Sequence, residues 1–274
     1  MVKQLRIGIT SKVYRPDIIK AAKETAAYLD GKCKLYMKKE LASKTGFKGP
    51  SINFKTTKLD IIMPIGGDGT LLHTVDQIKG RKIGVLGIKR GSKGFLTEVD
   101  HDMEKKLDAV LRRDYFIDEH LKLNVYLNDK NLGDVLNDVV LSTALLGKIQ
   151  KFDIEVHGDA MDTVSADGII LSTPTGSTAY ALSAGGPVLD PTLDAYEITP
   201  ISPFRLNSRS IVIPANAVTK VKIVGRHNGI ATLDGFYRYK IKKTDTLKIT
   251  RSKNKAYFIK FNKNYLRKVR KALS

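Results

Sequence analysis

Two periodicities divide this chain. Up to about residue 113, strand-length apolar runs alternate with segments whose apolar positions recur at helical spacing. Leu5 to Ile9 is a short apolar strand, and Pro16 opens a helix with Ile18, Ile19, Ala22, Thr25, Ala26 and Leu29 on one face. Leu59 to Ile65 and Ile83 to Ile88 have the length and β-branched content of strands buried on both faces. His101 to Arg113 reads as a further helix, with Met103, Leu107, Val110 and Leu111 along one side. Strands alternating with helices predict a parallel sheet.

From Tyr115 the period falls to two. Lys122 to Leu127 followed by Asn128-Asp129-Lys130-Asn131, and Phe152 to Val156 followed by His157-Gly158-Asp159, read as antiparallel strands and their turns. Thr178 to Ala184 is the one helix-like interruption. Ala256 to Ile259 with Phe261 reads as a half-buried strand, and Lys263 to Ala272 as a basic helix with Tyr265, Leu266 and Val269 on its apolar stripe. The predicted fold class is therefore α/β plus β. A Rossmann-like domain spans residues 1–113 and a β-rich, sandwich-like domain spans 114–262, with the helix at 263–274 expected to pack back on the first.

The length of 274 residues accords with two modest domains or one large one. Cys33 is the single cysteine, which excludes a disulfide scaffold. Apolar stretches such as Ile61–Met63 and Ile169–Leu171 fall far below the ~20 residues of a membrane span. The first residues run straight into a strand and lack a signal-peptide pattern, so a cytoplasmic protein is expected.

Lys and Arg outnumber Asp and Glu by 47 to 28, a formal charge of +19. The surplus is concentrated. Lys32 to Lys58 holds eight Lys and one Glu, and Lys240 to Lys271 thirteen Lys or Arg and one Asp. Such a field draws in anions without choosing among nucleotides, polyphosphate and nucleic acid. Tyr257, Phe258, Phe261 and Tyr265 lie within the basic tail, as a single-strand binder would require, but a solvated lysine-rich surface explains the same pattern.

Three constellations carry candidate chemistry. The first is Pro64-Ile65-Gly66-Gly67-Asp68-Gly69-Thr70, set where a buried strand ends and a helix begins. Helix N-termini at the carboxyl ends of parallel strands attract anions, and glycines let backbone approach phosphate closely. Asp68 there either acts on a ligand or caps the helix. The second is the block from Asp167 to Tyr180, with six hydroxyl residues, two glycines and a proline after an apolar strand. It suits a pocket for a polar, planar ligand, or a merely polar loop. Ser172 and Ser177 are poor nucleophile candidates, because the G-x-S-x-G elbow is missing. The third is Asn137-Asp138, a pair able to chelate the two hydroxyls of a ribose, or to make an Asx turn.

Together these residues resemble the NAD kinase family. The resemblance rests on Gly66-Gly67-Asp68-Gly69-Thr70, Arg90-Gly91 with Gly94-Phe95-Leu96-Thr97, Asn137-Asp138, Asp167-Gly168 followed by Ser172 to Tyr180, Ser183-Ala184-Gly185-Gly186-Pro187 and Thr199-Pro200-Ile201-Ser202-Pro203. The long block from Asp167 to Pro187 is its specific part, since lipid kinases and phosphofructokinases carry relatives of the first motif.

The resemblance implies phosphoryl transfer from ATP or inorganic polyphosphate to the 2′-hydroxyl of the adenosine ribose of NAD, giving NADP. It implies Asp68 as proton acceptor or metal-orienting group and Gly69 against the diphosphate. Asn137 and Asp138 would hold the adenosine, and Thr178, Ala179, Tyr180, Ala181, Leu182 and Ser183 would surround the adenine. Phe95, Thr175 and Lys148 complete the implied NAD-binding set. Asp167 would reach the nicotinamide-side ribose, often across a subunit boundary, so a homodimer or homotetramer is implied. Mg²⁺ or another divalent cation would accompany the donor, with no dedicated protein cage. Membrane and specific nucleic acid are not among the implied partners. The chain departs from the family pattern at Asp138, where Glu is usual, at Lys89 and Lys93, where Asn and Leu are usual, and at Phe236, where glutamine is frequent. A soluble lipid kinase and a basic nucleic-acid-binding protein are the alternatives. The first needs an apolar acceptor groove where the chain has hydroxyl groups, and the second predicts no phosphoryl transfer.

Overall fold

In the computed structural model of the chain, the described residues are 4–90, 94–100, 102–145, 147–205, 207–262, 265, 269 and 270. They form two compact units. One comprises the residues up to Glu119 together with those from Ala256 onward, and the other is His120–Lys255.

The first unit runs β1 (Arg6–Thr10), α1 (Pro16–Leu29), β2 (Lys34–Met37), α2 (Lys39–Thr45), β3 (Ile61–Gly66), α3 (Asp68–Gln77), β4 (Gly84–Val85), β5 (Ile88–Lys89) and α4 (Met103–Arg112). β1 pairs in parallel with β2 and β3, β3 with β4 and β5, and Tyr257–Phe258 lie parallel to β4. The parallel sheet is as the periodicity predicts. All six residues of β3 are buried, which is why it reads as an unbroken apolar run. Pro16 stands at the first turn of α1, where its fixed φ suits the helix and its missing N–H costs nothing. β2 and α2 fall inside the first lysine-rich stretch, where charge masks a four-residue strand and a seven-residue helix. α2 stops at Gly46, which takes the left-handed conformation at φ 77°.

The second unit is built from β6 (Phe116–Leu127), β7 (Lys130–Val135), β8 (Asp138–Thr143), β9 (Gln150–Val156), β10 (Asp159–Ala160), β11 (Val164–Ala166), β12 (Gly168–Ser172), α5 (Tyr180–Ser183), β13 (Ala195–Ile201), β14 (Ile211–Pro214), β15 (Thr219–Ile223), β16 (Gly229–Leu233), β17 (Tyr237–Ile241) and β18 (Thr246–Lys260). One sheet has the order β14-β13-β12-β8-β16-β17, antiparallel throughout. Facing it are β9, β15, β6, β7 and the first part of β18. Residues from both sets close one core, among them Leu123, Val139, Phe152, Ile169, Tyr196, Val221 and Leu247. This is the expected β-rich layer structure.

The units divide inside strands rather than at the expected positions after residues 113 and 262. β6 and β18 each cross the division without a turn, so no glycine or proline marks it. Of the basic helix read at 263–274, Tyr265, Val269 and Arg270 are described and helical, with Val269 buried. The rest of that helix, His101, Gly91 and Lys93 lie outside the described residues. Among the described residues no helix is long and apolar enough to cross a membrane, and Cys33 is a buried thiol.

Candidate active site

Each unit carries its own group of candidate residues. In the first, β3 ends at Gly66 with φ 152°, and a Cβ there would stand 2.5 Å from the Thr70 hydroxyl oxygen. Glycine is therefore required for the turn into α3. Asp68 is the first residue of that helix, and the bonds its side chain makes lie outside the helix. It faces the Gly94–Thr97 loop instead. The Phe95 N–H donates to Oδ2 at 2.8 Å and the Leu96 N–H to Oδ1 at 3.2 Å. One donor on each oxygen fixes the carboxylate plane and leaves lone pairs on both oxygens. Nothing lies within 4 Å of where a Cβ would stand on Gly67 or Gly69, so this side of the turn is open to a ligand. The capping alternative for Asp68 does not hold. Loop 94–99 is anchored by Lys260, whose buried ammonium reaches Glu98 at 3.1 Å, and by the Glu98 N–H on the Gly87 carbonyl.

In the second unit the group gathers where β8 begins. Asp234, at the tip of the β16–β17 hairpin, accepts three backbone N–H bonds: from Leu136 at 2.8 Å, Asn137 at 2.7 Å and Asp138 at 3.1 Å. Its own N–H donates to the Asp138 carbonyl at 3.0 Å. The Asn137 carbonyl accepts the Thr173 N–H at 2.9 Å, while Asn137 Oδ1 is buried with no protein partner. Asn137-Asp138 is thus not a self-contained Asx turn but a segment pinned from outside by a carboxylate. Burial pushes the Asp138 carboxyl up, and the neighbouring Asp234 charge adds to this. Burial also raises Asp234, opposed by its three N–H donors and by the Lys122 ammonium. Of the two, Asp234 is the one built to carry charge, and Asp138 keeps its proton longest.

The hydroxyl-rich block follows β12, and most of its hydroxyls face inward. Thr173 Oγ1 donates to the Leu136 carbonyl, Ser177 Oγ donates to the Pro174 carbonyl at 2.7 Å and accepts the Leu189 N–H at 2.9 Å, and Thr175 Oγ1 pairs with His120 Nδ1 at 2.7 Å. Ser172 Oγ lies within reach of the Asn137 and Thr173 carbonyls. These contacts leave neither serine with the base a nucleophile needs. Thr178 donates to the Thr175 carbonyl at 3.3 Å. Ala179 and Leu182 are half-buried, Ala181 is buried, and Tyr180 and Ser183 are exposed. The loop is a hydrogen-bonded scaffold that presents backbone and a few outer side chains.

Cross-strand register sets Asp138, Ser172 and Glu197 side by side on one face of the six-stranded sheet. Glu197 is fully buried, and burial pushes its carboxyl up to about 7 against the Thr199 hydroxyl bond. Asp167 does not join this group. It precedes Gly168, at the other end of β12, about 16 Å along the strand from Ser172. Its carbonyl accepts the Thr143 N–H, and Lys148 is exposed in the connection that follows Thr143, so both belong to that far end.

Asp234, Lys122 and Glu197 escape a motif reading. Asp234-Gly235 between alternating segments is a hairpin signal, and a lysine inside the apolar alternation of β6 is a second one. Glu197 carries no comparable mark.

Family models match most of the chain: the ATP-NAD kinase N-terminal domain over residues 9–115 and the ATP-NAD kinase C-terminal domain over 136–261. An NAD kinase of Methanosphaera stadtmanae is 38% identical over 273 residues, covering 98% of this chain and 99% of that one. One of Methanothermobacter thermautotrophicus is 38% identical over 276 residues, covering 98% and 96%. The solved NAD kinase from Archaeoglobus fulgidus in complex with ATP is 25% identical, covers 97% of this chain and 99% of its own, and has a TM-score of 0.78. The fold of yeast NADH kinase matches with a TM-score of 0.90 at 23% identity, covering 98% and 87%.

Proposed function

As this chain belongs to the NAD kinase family and phosphorylates NAD, we propose that it moves the γ-phosphoryl group of ATP to the 2′-hydroxyl of the adenosine ribose, giving NADP. The observation that carries the reading is Asp68, held by two N–H donors at the start of α3 beside the open faces of Gly67 and Gly69. The Archaeoglobus fulgidus enzyme's complex with ATP supports ATP as donor. Family membership decides against the lipid-kinase and nucleic-acid readings.

Phosphoryl transfer depends on positioning and charge more than on covalent chemistry. Asp68 takes the proton of the 2′-hydroxyl as that oxygen bonds to the γ-phosphorus. The bond from phosphorus to the bridging oxygen breaks, and ADP leaves with the electron pair. Gly69 and Phe95 line the diphosphate side. Asn137 holds the adenosine through its unpartnered Oδ1 side, and Asp138, its carboxyl pushed up by burial, meets the sugar hydroxyls. Thr178, Ala179, Tyr180, Ala181, Leu182 and Ser183 surround the adenine, while Thr175 holds that loop through His120. Asp167 and Lys148, at the far strand end, serve the ligand of a second copy in a homodimer or homotetramer.

Among the described residues no three His, Cys, Asp or Glu side chains gather as a metal site. Mg²⁺ would come with the donor phosphates, and Asp68, whose two oxygens each keep a lone pair beyond one N–H donor, is the side chain that would face it. When bound, the ion neutralises phosphate charge.

The test offers ATP, GTP and polyphosphate separately with NAD and follows NADP by a coupled dehydrogenase, alongside sedimentation of the assembly. NADP formed with ATP is expected. An absence of NADP with every donor overturns the assignment, and turnover with polyphosphate alone overturns the choice of donor.

A further inference from the structure

Asp68 owes its orientation to a loop outside its own helix. The Phe95 N–H donates to Oδ2 at 2.8 Å and the Leu96 N–H to Oδ1 at 3.2 Å. Both donors are backbone, so the carboxylate is placed only as well as residues 94–97 are. The approach is close: a Cβ on Gly94 would stand 3.2 Å from Asp68 Oδ1. Whatever fixes the loop therefore bears on the group that acts on the substrate.

The chain is gripped just after those two donors. The Glu98 and Val99 N–H groups both donate to the Gly87 carbonyl at 3.0 Å, and the Val99 carbonyl accepts the Lys89 N–H at 2.7 Å. The Lys106 ammonium donates to the Glu98 carbonyl. The Glu98 side chain accepts from the Lys260 ammonium at 3.1 Å, across 162 residues of sequence. Both side chains are enclosed, Glu98 at 4% exposure and Lys260 at 10%. Lys260 ends β18 directly after the buried Phe258 and Ile259, so its ammonium is carried by a strand packed into the core. An ion pair of this kind adds little net stability, because desolvation offsets most of the attraction. An enclosed charge is costly unless paired, so each partner holds the other to one place.

We propose that Lys260 is a positioning residue for the phosphoryl transfer: by holding the Glu98 carboxylate at the end of β18, it keeps the Phe95 and Leu96 N–H groups aimed at Asp68. This rests on the reading above that Asp68 takes the proton of the 2′-hydroxyl. Lys260 bonds to Glu98, and its effect passes to Asp68 through the backbone between Glu98 and Phe95. With the pair gone, residues 94–97 shift and the carboxylate turns away from the line of the hydroxyl. Misplacing a reacting group by about 1 Å costs up to ~10²-fold in rate. None of these bonds involves Asn137 or Asp138, which lie in the other unit, so the loss falls on kcat more than on the KM for NAD.

The experiment is a double-mutant cycle. Glu98→Gln/Lys260→Met removes both charges and leaves no unpaired ion buried. It is made in the wild-type chain and in Asp68→Asn, beside Lys260→Arg, which keeps the charge. Urea unfolding establishes that each variant is folded under assay conditions, and NADP formation at saturating NAD and ATP gives kcat. The paired variant should lower kcat about 10- to 100-fold in the wild-type background. In the Asp68→Asn background the same change should cost no more than about twofold, because the two act as one unit. Lys260→Arg should restore most of the rate. Wild-type kcat in the paired variant overturns the proposal. So does an equal fold-loss in both backgrounds, because the pair then acts without Asp68. If the paired variant does not fold, the same two criteria apply to Glu98→Gln alone, the milder change. An Asp68→Asn enzyme as fast as the wild type would instead refute the base role on which the proposal rests.

Discussion

Replacing Glu197 with Gln converts a buried electrostatic cost into a measurable slope. Glu197 is fully buried on β13, with one oxygen accepting the Thr199 hydroxyl at 3.0 Å and Oε1 without a hydrogen-bond partner. Its carboxyl is pushed from the ordinary 4.5 up to about 7, chiefly by burial. In the unfolded chain the proton leaves near 4.5, whereas in the folded chain it stays until about 7. Between those values the folded state binds more protons, so this group's contribution to stability falls as pH rises and levels off on either side. About 2.5 pH units at ~1.4 kcal/mol each make the whole loss roughly 3.5 kcal/mol, most of it between pH ~4.5 and pH ~8. Gln keeps the shape, can still accept from Thr199 and has no proton to lose. Whatever constant offset its amide introduces, the stability of Glu197→Gln relative to wild type should climb by about 3 kcal/mol from pH ~4.5 to pH ~8. Urea unfolding followed by far-ultraviolet circular dichroism at several pH values across that range reads the difference directly. A difference that stays constant across the range refutes the argument, because it would mean that Glu197 ionises alike in both states.

Three further outcomes are expected. Asp68→Asn should lower kcat by about 10²–10⁴ while the KM for NAD changes little, as loss of a general base requires; near-normal turnover in folded variant protein excludes the base role. Ser177→Ala removes a hydroxyl that both donates to Pro174 and accepts from Leu189, so it should cost about 1–3 kcal/mol in urea unfolding. Its kcat should stay within tenfold of wild type, and a larger kinetic loss at unchanged stability would reinstate the nucleophile. Gly66→Ala places a Cβ 2.5 Å from the Thr70 hydroxyl oxygen at φ 152°. It should lower stability by about 1–3 kcal/mol, and an unchanged unfolding midpoint would show that the turn relaxes freely.

The parallel sheet, α1, α3 and α4 are legible because burial imposes a period on their sequences, and β3 is readable for the same reason. β2 and α2 are hidden because their exposed lysines dilute a short apolar signal. The unit boundaries are hidden for a different reason, since β6 and β18 run through them unbroken. At the site, Asp68 and its glycines announce themselves by spacing, because a backbone that must turn tightly leaves few residue types to choose from. The hydroxyl block is also visible, but its meaning is not. The block reads equally as a pocket lining or as a polar loop, and of its inner hydroxyls only Thr175 is in the implied binding set; those of Ser172, Thr173, Thr175 and Ser177 bond mainly to backbone carbonyls, to the Leu189 N–H and to His120. Contacts over 35 or 98 residues of sequence separation, such as Ser172 to Asn137 and Asp234 to Leu136, leave no local trace.

The distribution of charge explains why composition was a poor guide to mechanism here. The formal +19 resides chiefly in surface lysines, whereas the candidate substrate group of the second unit is organised by acids held inside the fold: the buried Asp138 and Glu197 and the half-buried Asp234 and Asp134. An exposed lysine is screened and adds to a field that any anion feels. A buried carboxylate is costly unless its neighbours match it, so its position and proton are specified closely. Asp234 is matched by three N–H groups and a cation, Asp138 by keeping its proton, and Glu197 by a single hydroxyl. That ordering predicts which group tolerates neutralisation. Removing charge from Glu197 relieves the fold, while removing it from Asp234 releases Asn137 and Asp138. The two acids share a sheet and a direction of shift, but only Asp234 is bonded to the backbone of the candidate substrate group.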